Sequence, residues 1–513
     1  MVEHPPAGAS FPTEASLTAS ETEVSSREPS LQPIGDPFIV KFDEGDPENP
    51  HNWSRLKRWY LTLAGGMLTL NASAPSGVIA QLTERFHMSE KVATLTLSLF
   101  VTGYCVGPIL WAPLSERYGR RPIFLIAFFL YVCTQLGSAL ARNTATVLVF
   151  RFLGGTFAAC PLSNSGALIA DMWDAETRGK ALAIFSVTPF AGPALGPAVA
   201  GVLGEHADWR WVFWLLTIFS GLCWVMILLT MPETYGPTLL ARKAQKIRIT
   251  TGDNRYYAPI ERDTLSALQI FDKVLAKPFK VLFSEPMLIA MTVYLSFAYG
   301  VLYLLFEAYP FVYTIPHHLS PTLSGLTFLP QAIGGVIAVV IYVTVVNPRY
   351  EREVKKCAPK PVPPEFRLEM MIIAGPVFAV SFFWFGWTSF PSISLWVPLM
   401  SGLTIGYSIC WIFLSLFNYI IDAYLSVAAS AIAASIIFRS LSGAAFPLFA
   451  GNLYNKLNPR WASTLLGCLA VLLIPIPFVL MKYGPALRRK SRFAPTPVSP
   501  VAEEKAKDQS TVV

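Results

Sequence analysis

Charge is scarce in this sequence. Asp, Glu, Lys and Arg make up 14% of its 513 residues, where a water-soluble domain carries about 25%. So few charges cannot cover a large water-facing surface. Cysteine is nearly as sparse. Cys105, Cys133, Cys160, Cys223, Cys357, Cys410 and Cys468 form no CxxC pair, and all but Cys357 fall in apolar stretches. That excludes a disulfide framework and a thiolate metal site, and leaves small core filler. Adjacent histidines occur at His317 and His318, in a predicted loop. No nucleophile–base set falls within an apolar stretch, so neither a metal nor catalytic residues are expected and the chain is not read as an enzyme. No GxxxxGK[ST] run is present, which leaves ATP coupling unsupported. Residues 1–50 are rich in Pro, Ser, Thr and Glu and hold no apolar signal core; they read as a disordered tail.

What is there is apolar. Hydrophobic residues are 53% of the chain and mean hydropathy is +0.47. Spans are expected at about 58–80, 92–114, 122–141, 145–170, 180–203 and 210–231, then 287–313, 322–346, 368–388, 394–420, 426–450 and 460–482. Each is near the ~20 residues that cross a bilayer as a helix, and the short alternating segments of a β-barrel are absent. The net charge of +7 lies beside these spans, so it reports topology and no nucleic-acid partner. With a cytosolic N-terminus, cytosolic segments hold 32 Lys or Arg and outer loops hold six. Long tails weigh little in this rule, but Arg55, Lys57 and Arg58 before the first span agree with it. So do Arg117, Arg120 and Arg121 after the second. The expected fold class is all-α integral membrane, twelve transmembrane helices in two six-helix halves. The expected parts are a disordered cytosolic N-tail (1–56), a first half (57–232), a polar cytosolic central loop (233–286), a second half (287–484) and a disordered cytosolic C-tail (485–513). The run Arg242–Arg248 reads as a solvated face or a contact for anionic lipid.

Residues 107–122 read Gly-Pro-Ile-Leu-Trp-Ala-Pro-Leu-Ser-Glu-Arg-Tyr-Gly-Arg-Arg-Pro. Apolar helix runs into a tight, charged turn. Gly119 permits the reversal, and Glu116 is free to face a helix N-terminus, where a carboxylate is favoured by up to ~1 kcal/mol. The stretch closely resembles motif A of the major facilitator superfamily, in the form found in fungal twelve-span drug:proton antiporters. The likeness continues over most of residues 48–490. Arg151-Phe152-Leu153-Gly154-Gly155 resembles motif B. Asp171-Met172-Trp173, Arg178-Gly179, Pro232-Glu233-Thr234 and Asn418–Tyr424 resemble other family segments, as do Arg439-Ser440 and Ala445–Phe449. Span one departs from the family, being a few residues short over Leu70–Ser76; Ser435 stands where relatives often carry Asn.

Span five holds Gly192, Pro193, Gly196 and Pro197, followed by Gly201. Glycines four apart let a second helix approach closely, and prolines allow a bend. The segment resembles the antiporter motif C; ordinary helix packing is the alternative. Three charged residues lie inside spans: Arg151, Glu307 and Arg439. Placing such groups there costs at least ~2.5–3.5 kcal/mol each on insertion scales, so they must face the interior and find partners. Glu307 is the one carboxylate well inside a span, and a carboxyl taken out of water exchanges a proton more readily. Glu307 is the candidate for proton or substrate coupling and Arg151 for tuning it, while Arg439 reads as structural. Asn71, Gln135, Asn164, Gln331 and Asn418 are candidate cavity residues or interhelical ties. Tyr303, with Tyr294, Tyr299 and Phe306, offers an aromatic wall suited to a cation, or a stripe facing lipid.

The resemblance implies a secondary transporter without cofactor, driven by a proton gradient. Its site lies between the two halves. It implies export of a small molecule such as a drug, polyamine or secondary metabolite from a fungal cell, by a monomer in the plasma or vacuolar membrane. Glu116, Arg117 and Arg120, around Gly107, Gly119 and Arg121, would latch the cytosolic gate. Import on the same fold and a non-transporting receptor are the alternatives.

Overall fold

The computed structural model describes residues 36, 38–70, 77–174, 177–262, 275–357 and 362–494. Helices dominate. In the first half they are α1 (Arg55–Thr69), α2 (Ile79–Phe86), α3 (Glu90–Tyr118), α4 (Arg120–Ala139), α5 (Thr144–Met172), α6 (Arg178–His206) and α7 (Arg210–Thr230). The centre carries α8 (Gly236–Thr251) and α9 (Lys277–Ser284). The second half holds α10 (Pro286–Tyr309), α11 (Pro321–Leu326), α12 (Leu329–Ile341), α13 (Asn347–Cys357), α14 (Glu369–Thr388), α15 (Trp396–Ala423), α16 (Ala428–Leu473) and α17 (Pro475–Lys490).

Among the described residues, ten helical stretches are long and apolar enough to cross a membrane. The last runs from Ala428 to Lys490 over 63 residues, too long for one crossing. It folds back at Asn458, whose φ of 59° breaks the helix ahead of Pro459. That stretch supplies two spans, and the shorter α1 supplies the first, which brings the number to twelve. Exposed apolar side chains such as Leu222, Val149 and Leu472 form the outer surface of the bundle. That surface suits hydrocarbon, because each helix satisfies its own backbone.

Within the first half α3 packs on α5 and α4 on α5 and α7; within the second, α10 packs on α16 and α12 and α14 on α15. Across the halves α3 meets α16, and α6 meets α11 and α12. Small residues set these distances. A Cβ on Gly155 would overlap the Phe100 carbonyl, and one on Gly107 would overlap Ala159. Without a hydrophobic drive between helices in lipid, such close contact is what holds α3 to α5.

Three expectations change. Span one does not run unbroken over 58–80: α1 ends at Thr69 and a separate helix, α2, starts at Ile79. Residues 71–76, Asn71 included, lie outside the described residues. The N-tail and central loop are not independent polar segments. Val40 N–H donates to the Tyr257 carbonyl and Tyr257 N–H to Phe38, each at 3.0 Å. Lys243 of α8 pairs with Asp43 at 2.8 Å and Asp46 at 2.7 Å, and Lys246 with Glu48 at 2.9 Å. The acidic residues before span one thus meet the basic run read as solvated. The C-tail boundary also moves, because α17 continues to Lys490 and Ser491 donates to Glu285 at 2.7 Å.

Candidate functional site

Three sites matter: a charged turn at the end of the bundle that carries α8, a buried centre, and a tight seam at the opposite end. At the turn, α3 stops at Tyr118 and α4 starts at Arg120. Gly119 between them has φ 96° and ψ 164°, a region open essentially to glycine alone. A Cβ there would also overlap the Glu233 carboxylate. Glu233 is 4% exposed and accepts the backbone N–H of Arg120 at 2.8 Å and of Arg121 at 3.3 Å. The Thr234 and Tyr235 N–H groups donate to it as well, at 3.0 Å each. A carboxylate so placed caps the N-terminus of α4. Arg120 donates from Nε to Asp171 at 3.1 Å and from Nη1 to Ser115 at 2.6 Å, and lies over the Tyr235 ring. Arg121 donates to the Leu228 carbonyl at 3.1 Å.

This corrects the expected gate. Glu116 and Arg117 are exposed on the last turn of α3, and Glu233, arriving from the end of α7, takes the helix-capping role expected of Glu116. The reason is reach: Glu116 belongs to the helix that ends at the turn and lies on its outer face, whereas Glu233 enters from the side. The span-six ending Pro232-Glu233-Thr234 was the sequence signal for it. Asn164 is also placed differently from a cavity residue. Its Oδ1 accepts from Ser115 at 2.9 Å, so it ties α3 to α5 behind Arg120. The second half carries a comparable tie. Arg367 Nε donates to Asp422 at 2.8 Å and its guanidinium lies over the Tyr350 ring. The positions just ahead of span nine and at the end of span ten were the available clue.

At the centre, Arg151 of α5 is 1% exposed. Its Nε donates to the Thr96 carbonyl at 2.9 Å, and its guanidinium sits 4.1 Å from the Phe100 ring centroid. Nη1 and Nη2 find no partner. Arg439 of α16 is 6% exposed and lies among the rings of Tyr299, Phe413 and Phe417. Tyr303 packs on Tyr299 with centroids 5.0 Å apart and ring planes inclined at 60°. The aromatic stripe therefore faces inward and not lipid. Gln135 is buried with Oε1 unpartnered. Gln331 is buried where α12 touches α15, its carbonyl against Gly406. Asn418 is half-buried and donates to the Leu414 carbonyl of its own helix at 2.7 Å.

Glu307 sits between the halves. Thr94 of α3 lies 3.3 Å from its Oε1 and also donates to the Glu90 carbonyl at 3.0 Å. One hydroxyl proton cannot serve both acceptors. With Glu307 neutral, its own O–H donates to Thr94 and Thr94 donates to Glu90, so both bonds form. With Glu307 ionised, one is lost.

At the opposite end, α6 closes on the second half. Gly192 faces the Leu70 carbonyl; Pro193 and Gly196 are buried. The Pro197 carbonyl abuts Gly325, and Gly201 abuts the Pro321 carbonyl. Glu205 accepts the Thr322 N–H at 3.0 Å. The outer part of the span-five stripe, Pro197 and Gly201, thus forms a seam between the halves, while Gly192 packs within the first half.

The family model described as Major Facilitator Superfamily matches residues 61–447. The chain belongs to that superfamily. It is similar to the MFS-type efflux pump MFS2 of Trichophyton rubrum, 41% identical over 466 residues, covering 90% of this chain and 78% of the relative. It is also similar to the major facilitator superfamily multidrug transporter mdrA of Aspergillus fumigatus, 40% identical over 465 residues, covering 90% and 76%. Among solved structures, the human organic anion transporter MFSD10 aligns with a TM-score of 0.57 at 17% identity, covering 84% of this chain and 99% of that one. At that identity the likeness shows the superfamily's fold alone. The all-helical membrane fold stands on these matches and on the helices described above, and the reading as a transporter and not an enzyme on the family and its relatives.

Proposed function

We propose that this protein is a proton-coupled exporter of a small organic molecule, with Glu307 as the coupling carboxyl. The observation that carries the coupling is the Glu307–Thr94 contact across the halves at 3.3 Å. A proton on Glu307 completes two hydrogen bonds there, and its loss removes one. Proton binding thereby favours closure of this end, the kind of bias that alternating access by rocking of two halves can use. Efflux names among the relatives support the direction. The Lys and Arg count supports cytosolic termini, so that the α8 end faces the cytosol and the Glu307 end faces away from it, across the plasma or the vacuolar membrane. Arg120, Glu233 and Asp171 then hold the cytosolic turn, and the span-five seam closes the outer side.

Cells loaded with a panel of labelled organic solutes and followed for efflux test this. Efflux should stop with a proton-collapsing ionophore and with Glu307→Gln. Efflux indifferent to both would remove Glu307 and the proton from the mechanism.

A further inference from the structure

Arg151 and Arg439 come from opposite halves, and both are more than nine-tenths buried. Contacts across the halves relate them: Arg151 lies over the Phe100 ring, Val101 next to it on α3 meets Tyr299 at Gly443, and Arg439 lies over that Tyr299 ring. No carboxylate among the described residues pairs with either guanidinium. Arg151 leaves Nη1 and Nη2 unpartnered and Arg439 leaves Nε unpartnered. Interhelical tying explains the Arg151 Nε bond to Thr96 and its place over the Phe100 ring, and leaves both Nη groups unaccounted for. Two buried cations without a counter-charge are costly in a span, and such groups mark a pathway or a ligand.

We propose that these two arginines form the substrate-binding centre, and that it takes an organic anion: an oxoanion such as a carboxylate on an aromatic or apolar body. The guanidinium fork matches a carboxylate's two oxygens. The Tyr104, Tyr299 and Tyr303 hydroxyls supply further donors nearby, while Phe100 and Phe413 offer rings for the apolar body. An anion held by Arg151 on α5 and Arg439 on α16 touches both halves at once and favours the occluded state over either open one. This assigns the centre to the opposite charge class from a cation held by Glu307, and gives the two groups separate tasks. Glu307 carries the proton; the arginines carry the substrate. Exchange of an inward proton for an outward monoanion moves two positive charges inward per cycle, so export responds to membrane potential as well as to the proton gradient.

The inference rests on the transporter reading, but its test needs no gradient. The full chain in lipid nanodiscs is titrated with three matched probes: 2-naphthoate, 2-naphthamide and 2-naphthylmethylammonium. Naphthoate should bind at least about tenfold more tightly than the amide, as expected for hydrogen bonds that gain a full charge, and the ammonium should bind weakest. Arg151→Gln and Arg439→Gln should each erase the preference while amide affinity stays as in the wild type, which also reports a folded site. Arg→Lys at either position should keep part of it. Equal affinity for carboxylate and amide, tightest binding of the ammonium, or no naphthoate binding at millimolar concentration would overturn the proposal. So would a preference that survives both Gln variants. These three probes decide it in the wild type even if a variant does not fold. A result against the anion leaves proton coupling at Glu307 standing, and loss of coupling in cells leaves the binding preference standing.

Discussion

Gly119→Ala should be among the most damaging single-methyl additions in the chain. Two costs combine. The backbone at φ 96°, ψ 164° is strained for alanine by about 1–3 kcal/mol. The new Cβ also overlaps the Glu233 carboxylate, which must retreat from the Arg120 and Arg121 N–H groups. Each such bond to a charged group contributes about 1.5–3 kcal/mol. Retreat need not break both, so the total is about 3–6 kcal/mol. The assay is the rate of irreversible unfolding of purified protein in detergent on heating, since kinetic stability is the measurable quantity for such a chain. A double-mutant cycle with Glu233→Ala separates the terms. In the Glu233→Ala background the added methyl should cost only the backbone part. Wild-type stability for Gly119→Ala, or the same cost in both backgrounds, would refute the reasoning.

At the seam, Gly201→Val or Gly325→Val should wedge α6 from α11, because the Pro321 and Pro197 carbonyls already abut those glycines. Cross-linking between the two helices should fall while far-ultraviolet circular dichroism stays unchanged; undiminished cross-linking would count against the seam. Arg367→Ala should destabilise by about 3–5 kcal/mol by stranding Asp422, and Asp422→Asn in the same chain should recover part of it in the same thermal assay. The docking of residues 38–54 on α8 should depend on pH only at the extremes. The Lys243 ammonium holds Asp46 below its ordinary carboxylate value, and Asp43 and then Asp46 hold Lys243 above its own. A lowered carboxylate stabilises above its unfolded value, about 3.9, and loses that as pH falls further; a raised amine stabilises below about 10.4 and loses it above. Limited proteolysis of this segment should be flat from about pH 5 to 9 and rise below about 4; release between pH 5 and 7 would contradict it.

The spans were legible because lipid demands about twenty apolar residues in a row, a local property of the chain. Span four, expected at 145–170, is Thr144–Met172. The break after Thr69 had a signal, since Asn71, Ser73, Pro75, Ser76 and Gly77 interrupt the apolar run, yet the expected span runs straight through it. The contact between Asp43, Asp46 and Lys243, some two hundred residues apart, was not legible. The intramembrane charges Arg151, Glu307 and Arg439 stood out because each is expensive where it lies. What each one touches depends on how the two halves face each other. That is why the Thr94–Glu307 contact and the rings around the two arginines appear only in three dimensions.

The central claim is that Glu307 carries the coupled proton. Purified protein is reconstituted into vesicles with a pH-sensitive dye inside, and a substrate gradient is imposed without a pH gradient. Substrate-driven proton movement is expected in the wild type and none in Glu307→Gln, with substrate binding retained. Equal proton movement in both would contradict it.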